Sequence, residues 1–526
     1  MKSGVVAGGW VNRGRAAPVS AGWRDVACLL VLMCSGILLF QLPTPALAAP
    51  PLRAGVAKVD VTNRDAGPVN DPLWVKALVL SDGTVTTALV TVDAVAIGEI
   101  GPIRNDYLAK VRQQLQQELG LPPQHLLVNA SHCHGVVCQD VAERTVQAVK
   151  EAASALVPVR VGVGQGREDR IMENRRIRLQ DGREADVRHA YSLPADETMV
   201  GVGPVDPAIG VLRLDRMDGR TLAVVYNFAC HPIQGVPGGA NTADLSGFAS
   251  QAIEDSLGQG VIALFVQGCA GDINPVFYKD VDHPRHAQTQ GHLLGLSTLR
   301  AFHQITCQED APLRIRHTSL DLPRADLAER ITAQQAEVTR LVQSLRGTSL
   351  NFKTFLPLMV KYQAAAEFPS YYAHRYLHDD ALGHSDLRQL DAENRRNLAA
   401  YLKNIQTMEE LTRVQTNLAL LKKHQQQNLE AGQRNINVEV AGLRVGPFVL
   451  LTFPGELTVQ IGLNLKKASP HAHTYVAGYT NGYIYYAPTT EQLKNVGNAQ
   501  EDSDCILAPH WQAIFERHAL EILRQM

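Results

Sequence analysis

The stretch Leu126–Gly135, LLVNASHCHG, joins a short apolar run to a group of polar side chains at its end. The apolar run has the length and composition of a buried strand. It leads into His132 and His134, which stand two positions apart. On an extended backbone such side chains point to the same face, so this pair is well placed to hold or serve a metal ion. The alternative is that both histidines leave the core into a loop.

Three later stretches repeat this pattern of a buried strand followed by polar residues: Asn227–Pro232 (NFACHP), Val266–Pro275 (VQGCAGDINP) and Phe453–Leu457 (FPGEL). His231 follows its strand directly and precedes a proline, which suits a metal ligand. Glu456 comes after another strand and a Pro-Gly turn. The two glycines of the second stretch would let backbone N–H groups approach an anion or an oxyanion closely.

Two further features follow predicted strands. Gly478–Pro488 (GYTNGYIYYAP) is rich in tyrosine. Such tyrosines usually pack in a core, but a phenol oxygen can also ligate a metal or act as a general acid. Asp93 comes directly after the predicted strand Thr87–Val92. Its carboxylate would either face a site or cap the next segment, and both interpretations stay open.

Composition limits the class of protein. The chain has 526 residues, which is compatible with one large domain carrying insertions or with two domains. Hydrophobic residues make up 45% and charged residues 19%, as in a folded globular protein. The net charge of −2 and the lack of a basic stripe argue against a nucleic-acid partner. No feature indicates a protein partner.

The N-terminus has the pattern of a targeting segment. Arginines precede an apolar run, Val26–Phe40, and a small-x-small cleavage site follows at Ala46–Ala48. We predict a removed signal peptide over 1–48 and an exported protein, secreted or periplasmic. The alternative is an uncleaved membrane anchor, although the run is short for a spanning helix of ~20 residues. The later cysteines are expected to be small buried residues or to form one or two disulfides.

Strands and helices alternate after the signal segment. Helical spacing of apolar residues predicts helices over Tyr107–Leu119 and Val141–Ala155, with strands before and between them. This order predicts an α/β fold with a mixed, layered β-sheet core and helices around it.

Residues 324–432 differ from the rest because they are rich in Gln, Glu, Arg, Leu and Ala. Two apolar stripes predict two amphipathic helices, separated by an irregular segment, Gly347–Asp391. We predict a helical insertion that lies outside the central sheet. Its aromatic residues either cover a pocket or form a local core. Its histidines are predicted to lie on the surface: His374, His378, His384 and His424.

The ordered set NASHCHG, NFACHP, GCAGDINP, FPGEL and TNGYIYYAPT resembles the neutral (alkaline, non-lysosomal) ceramidase family, specifically its N-terminal catalytic domain. The resemblance covers about residue 52 to near the C-terminus, interrupted by the helical insertion. It implies one catalytic domain over 49–526. It also implies the activity of that family, whose members are zinc amidases that cleave the N-acyl bond of ceramide.

The resemblance assigns roles to residues of this chain. It implies that Zn²⁺ is bound by four residues: His132, His231, Glu456 and Tyr486. His134 matches a histidine beside the metal, and Arg175 in the stretch ENRR matches an active-site arginine. Catalytic roles are therefore expected for His134, Arg175 and Tyr486, together with Asn274 of the glycine loop.

Several features depart from the family pattern. Members with ceramidase activity have a nucleophilic serine where this chain has Asn274. Leu245 and Ser246 stand where a basic residue is expected after Asp244. The first motif continues as Gly135-Val136-Val137 instead of the usual Ser-Gly-Pro. The chain is also predicted to lack the family's C-terminal β-sandwich domain. The resemblance thus implies a retained metal site and leaves serine chemistry and ceramide specificity open.

These features favour a secreted zinc-dependent amidohydrolase acting on a small-molecule or lipid N-acyl substrate, and they leave contact with a membrane surface open. Two imidazoles, a carboxylate and a phenol oxygen suit zinc, and an open position would hold a water whose pKa zinc lowers to roughly 7. Asn274 would then donate a hydrogen bond to the developing oxyanion. The alternative is a non-catalytic binding or structural protein that keeps the fold and the metal site.

Overall fold

Residues 126–130 form a strand at one edge of an eight-stranded sheet. The computed structural model describes residues 51–526, except 188–192, 259, 279, 281, 284, 285, 370–372 and 498. The predicted signal peptide therefore lies outside the described residues, as do two aromatic residues of the helical insertion, Tyr371 and Tyr372.

The described strands form two large sheets and three small ones. In chain order they are β1 (Arg53–Asp60), β2 (Trp74–Ser81), β3 (Thr86–Val92), β4 (Leu126–Ala130), β5 (Val157–Arg167), β6 (Met172–Asn174), β7 (Arg176–Leu179), β8 (Glu184–Asp186), β9 (Met199–Val202), β10 (Ala208–Arg216), β11 (Thr221–Phe228), β12 (Ile262–Gln267), β13 (Ile273–Pro275), β14 (Leu313–Pro323), β15 (Asn435–Val445), β16 (Phe448–Thr452), β17 (Glu456–Leu457), β18 (His473–Ala477) and β19 (Tyr486–Ala487). The larger sheet has the order β12-β11-β10-β5-β1-β2-β3-β4, and the second has the order β14-β15-β16-β18. The small sheets are β13-β6, β17-β19 and β8-β7-β9.

Most helices of the described residues lie on the outer faces of the large sheets or in the insertion. In chain order they are α1 (Tyr107–Leu119), α2 (Val141–Ser154), α3 (Asp244–Leu257), α4 (Gln288–Phe302), α5 (Ala328–Ser344), α6 (Phe352–Ala364), α7 (His374–Ala381), α8 (Asp386–Glu430), α9 (Val459–Ala468), α10 (Gln500–Ser503) and α11 (Trp511–Gln525). The bounds of α1 agree with the prediction, and α2 ends one residue earlier than predicted.

The two large sheets pack face to face between layers of helices. Alternation along β2 shows this: Val75 and Val79 pack in the core beneath α1 and α2, whereas Leu78 packs in the core between the sheets. The helix layer lies very close to the sheet at Gly55 of β1, where a Cβ atom would lie 2.0 Å from the carbonyl oxygen of Ala152. The predicted α/β fold with a layered sheet core is confirmed.

Each of three parallel strand pairs ends at the same region of the molecule. These pairs are β3 with β4, β11 with β12, and β16 with β18. Parallel neighbours need a crossover connection, which here contains α1, α3 and α9 respectively. Side chains that follow the carboxyl ends of such strands are brought together, which is where α/β proteins commonly bind ligands. The polar stretches of the sequence stand at these ends.

The segment 324–432 is helical and contains no strand among its described residues, which agrees with the predicted insertion. The prediction of an irregular segment over Gly347–Asp391 is wrong, because α6, α7 and the first turns of α8 occupy it. Phe355 and Tyr362 pack on Leu398, so these aromatic residues form a local core. No helix in the described part of the chain is long and apolar enough to cross a membrane.

His424 corrects a second prediction for this segment. It was expected on the surface, but it is completely buried on α8. Its Nε2 lies 2.6 Å from Oδ1 of Asp504, and its Nδ1 lies 2.8 Å from Oε1 of Gln427. Both ring nitrogens therefore have polar partners in the protein, which replace the hydrogen bonds to water that are lost when the ring is buried.

Candidate metal centre

Three buried side chains converge from the carboxyl ends of three different strands. His132 follows β4, His231 follows β11 and Glu456 follows β16. The Nε2 atoms of His231 and His132 lie 3.2 Å and 3.5 Å from the same atom, Oε2 of Glu456. One potential ligand atom from each residue lies within 4.8 Å of the others. This set has the ligand types and the spacing that can hold a metal ion.

Hydrogen bonds to the backbone assign the tautomer of both imidazoles. Nδ1 of His132 lies 2.6 Å from the carbonyl oxygen of Val95, and Nδ1 of His231 lies 2.9 Å from that of Ile273. A carbonyl only accepts, so each Nδ1 carries a proton and donates it. Burial lowers the pKa of both histidines, that of His132 to about 4, so both rings are neutral at pH 7. Each Nε2 therefore presents a lone pair.

Two lone pairs thus face one carboxylate oxygen, which is a repulsive arrangement unless a cation lies between them. A divalent metal ion satisfies all three groups at once, and metal-binding histidines commonly donate their other ring N–H to a carbonyl in this way. The donor set of two nitrogens and an oxygen, fully buried, fits zinc. The residues present therefore fit the metal that the sequence predicted.

Two tyrosines hold the carboxylate of Glu456. The hydroxyl of Tyr479 donates to Oε2 over 3.1 Å, and the hydroxyl of Tyr483 donates to Oε1. A carboxylate that accepts hydrogen bonds is favoured in its ionised form, so both tyrosines stabilise the charged Glu456. Glu456 is thus an ionised carboxylate with its orientation fixed.

Tyr486 lies beside Glu456 because the two residues are register partners in the parallel pair β17–β19. Both line the same pocket. The Tyr486 hydroxyl lies 3.2 Å from Nη2 of Arg175. Tyr486 therefore lies next to the cluster and is bonded to Arg175.

Arg175 is almost completely buried and binds four protein groups. Nε donates to Glu501, Nη1 donates to Oδ1 of Asn274 over 3.0 Å, and Nη2 donates to the carbonyl of Gly271 and to Tyr486. Four of the five N–H groups of the guanidinium are thereby used. Arg175 therefore positions Asn274 and Tyr486.

The glycine loop after β12 packs against the strand that carries Glu456. Gly271 donates its N–H to the carbonyl of Leu457 over 2.9 Å. A Cβ atom at Gly271 would lie 2.7 Å from the carbonyl oxygen of Glu456, so only glycine permits this approach. The N–H groups of Gly268 and Ala270 also donate to carbonyls of the protein. The prediction that this loop offers an anion cradle is therefore wrong for these three groups.

The backbone at His132 departs from the predicted extended conformation, since its φ is 67°. This left-handed geometry separates the two histidines of the pair: His132 is buried, whereas His134 is exposed, with ring centroids 5.6 Å apart. Tyr479 and Tyr485 also have positive φ values, 53° and 63°. Each such residue costs about 1–3 kcal/mol, and such strain gathers at functional sites.

A cavity of about 170 Å³ opens beside the cluster. Its lining contains the four predicted metal ligands and three of the four predicted catalytic residues, with Tyr486 in both groups: His132, His231, Glu456, Tyr486, His134 and Arg175. Asn274 is buried and is held at the site through Arg175. The structure therefore brings all the predicted site residues to one place.

Other polar residues near the strand ends have structural roles. Asp93 accepts a hydrogen bond from the backbone N–H of Trp74 on the neighbouring strand, so it neither faces the pocket nor caps a helix. The six cysteines of the described residues are free thiols, and none belongs to the metal cluster. The expectation of small buried residues agrees with this for Cys133, Cys230, Cys269 and Cys505.

Sequence reasoning missed several residues of the site. Tyr479 and Tyr483 stand four positions apart in the tyrosine-rich stretch, but no local pattern separates them from Tyr486. Glu501 gave no signal, because it follows no predicted strand and its partner Arg175 is 326 positions away. Only a buried acidic run packed against buried arginines would have identified Glu501 as part of the site. Neither burial nor this packing can be read from the sequence.

Comparisons with known proteins agree with this fold. Neither a protein-family model nor a curated protein matches the chain. A solved structure described as neutral ceramidase from Pseudomonas aeruginosa matches with a TM-score of 0.56 and 15% identity, over 91% of this chain and 75% of that chain. A structure described as ceramidase complexed with C2 has the same TM-score and identity, over 90% and 75%. The resemblance to neutral ceramidases is confirmed for the fold.

Proposed function

We propose that this chain, which shares the fold of neutral ceramidase, is an exported zinc-dependent amidohydrolase that cleaves an N-acyl amide. The observation that carries the proposal is the pair of neutral imidazoles whose lone pairs face one buried carboxylate oxygen. His132, His231 and Glu456 would hold the zinc, with Tyr486 as the fourth ligand. The names of the solved structures with this fold support an N-acyl lipid as one substrate class.

The residues of the chain have distinct roles in this proposal. When bound, zinc would polarise the amide carbonyl and lower the pKa of a bound water to roughly 7. His134 is exposed in the pocket beside His132, so its imidazole can accept a proton and return it to the leaving amine. Tyr479 and Tyr483 keep Glu456 in place throughout.

Asn274 cannot act as a nucleophile, but it can stabilise an oxyanion. An amide side chain is not a nucleophile, so no acyl intermediate forms at this position. Its Oδ1 accepts a hydrogen bond from Arg175, which leaves Nδ2 at the other end of the amide as a donor for the developing oxyanion. The remaining N–H of Arg175 would contact the substrate.

Metal content and hydrolysis together test the proposal. Purified full-length protein should contain one zinc per chain, and His231→Ala should lose it, whereas the control His303→Ala, at an exposed position on the surface, should retain it. Wild type should hydrolyse members of a panel of N-acyl amides, and a chelator should abolish this activity. Zinc-free wild-type protein, or hydrolysis that a chelator does not affect, would refute the proposal. Zinc without hydrolysis of any amide would favour the non-catalytic alternative.

A further inference from the structure

The helical segment contributes one residue, Lys423 of α8, to the lining of the pocket beside the His-His-Glu cluster. Lys423, His424 and Gln427 lie on one face of α8, near its C-terminal end. His424 binds Asp504, and Nε2 of Gln427 donates to the hydroxyl of Tyr485 over 2.9 Å. Asp504 and Tyr485 both line the pocket. The segment is therefore part of the site, although it supplies no residue of the His-His-Glu cluster.

Lys423 itself lines this pocket. Its Nζ lies 4.5 Å from the centroid of the Tyr485 ring, so a cation–π contact holds the ammonium at the pocket. Tyr485 is fixed in turn by Gln427 and by its left-handed backbone. An ammonium group over a ring face keeps N–H donors that can point to another acceptor. Lys423 is thus placed at the site and still able to bind an anion.

The other charged groups of the pocket have partners within the protein. Glu456 faces the two histidines and accepts bonds from two tyrosines. Asp504 binds His424, and Arg175 forms an ion pair with Glu501 over 2.5 Å. Among the described residues that line this pocket, Lys423 is therefore the cation that forms no ion pair with a carboxylate, so a ligand can match its charge. A bound metal would add further positive charge.

We propose that Lys423 recognises an anionic group, a carboxylate or a phosphate, that the amide substrate carries near its scissile bond. The inference rests on the proposed amidohydrolase function and names its substrate class: N-acyl amines with an acidic head group, rather than uncharged N-acyl lipids. The specificity of this chain would then come from the helical insertion.

Matched substrate pairs test this inference. N-dodecanoylglycine is compared with the uncharged N-dodecanoylglycinamide, and N-dodecanoyl-O-phosphoethanolamine with N-dodecanoylethanolamine. Wild type should have the higher kcat/KM for the charged member of at least one pair, and that pair identifies the anion as a carboxylate or a phosphate. Lys423→Met keeps the apolar stem over Tyr485 and should lower kcat/KM for that charged member by about tenfold. For the uncharged substrates, kcat/KM should change less than twofold. Lys423→Glu should lower kcat/KM for the charged member further than Lys423→Met does.

Lys422→Met provides the control, because Lys422 is the adjacent exposed lysine on α8 and is not part of the pocket lining. It should leave both members of each pair unchanged. Equal rates for charged and uncharged members in wild type, or an equal loss for both in Lys423→Met, would overturn the inference.

Binding separates this inference from the proposed function. If no amide is hydrolysed, titration calorimetry with N-dodecanoylglycine and N-dodecanoyl-O-phosphoethanolamine is applied to wild type and Lys423→Met. A weaker Kd in the variant for the charged probe alone would retain the anion site while the amidohydrolase proposal fails. Equal Kd values in the two proteins would refute the anion site.

Discussion

Replacing Tyr483 by phenylalanine removes a single hydroxyl group, and we predict that it weakens zinc binding while the cluster itself stays intact. The Tyr483 hydroxyl donates to Oε1 of Glu456, the carboxylate oxygen that does not face the two histidines. Without this bond the carboxylate can rotate away from the ligand geometry. Loss of such a supporting hydrogen bond typically weakens metal affinity about 10- to 100-fold, which corresponds to about 1.4–2.7 kcal/mol.

The zinc Kd of each protein is measured by competition with a chromophoric chelator. Tyr226→Phe is the matched control, because Tyr226 is equally buried and donates to the carbonyl of Ser246, outside the site. Tyr483→Phe loses its bond to Glu456, and Tyr226→Phe loses its bonds to Ser246 and Ser250. Each variant should lose about 1–3 kcal/mol of unfolding free energy in the zinc-free form. Only Tyr483→Phe should show the weaker Kd. A Kd for Tyr483→Phe equal to that of the control would refute the assignment of Glu456 as a ligand held by Tyr483.

Three further predictions concern the groups around this centre. His134→Ala should keep its zinc and lose about 10²- to 10⁴-fold in hydrolysis rate, measured with metal content on the same sample; loss of the zinc would contradict the proton-transfer role. Burial raises the pKa of Asp93 from 3.8 to about 6, so the folded state binds the carboxyl proton more tightly than the unfolded state does. The stability gained from this proton is complete below pH 3.8 and is lost as the pH rises through about 6. Asp93→Asn should therefore gain stability relative to wild type, by up to about 3 kcal/mol, between pH 4 and pH 7 in urea unfolding, and a pH-independent difference would disprove this. His424→Ala removes the ring that pairs with the Asp504 carboxylate and should lower the unfolding free energy by about 3 kcal/mol, whereas a change within 0.5 kcal/mol, the range of a typical surface substitution, would show that the buried pair contributes little.

The sequence by itself determined the features that depend on local pattern. Apolar runs that end in His132, His231 and Glu456 predicted buried strands with ligands at their ends, because strand burial and side-chain chemistry are both visible over a few residues. The bounds of α1 followed from its apolar spacing in the same way. The alternation of strand and helix patterns also predicted the layered α/β fold, which the comparison with neutral ceramidase confirms.

The tertiary structure alone decided how these residues face one another. The left-handed backbone of His132 is one such feature. The carbonyl of Val95 that assigns its tautomer lies 37 positions away, and the two tyrosines that hold Glu456 lie 23 and 27 positions away from it. The same holds for Arg175, whose partner Glu501 lies far along the sequence, and for α8, whose C-terminal turns reach the pocket. Local periodicity reports which face of an element is buried, but not which element buries it, because that depends on how layers pack after the chain has folded.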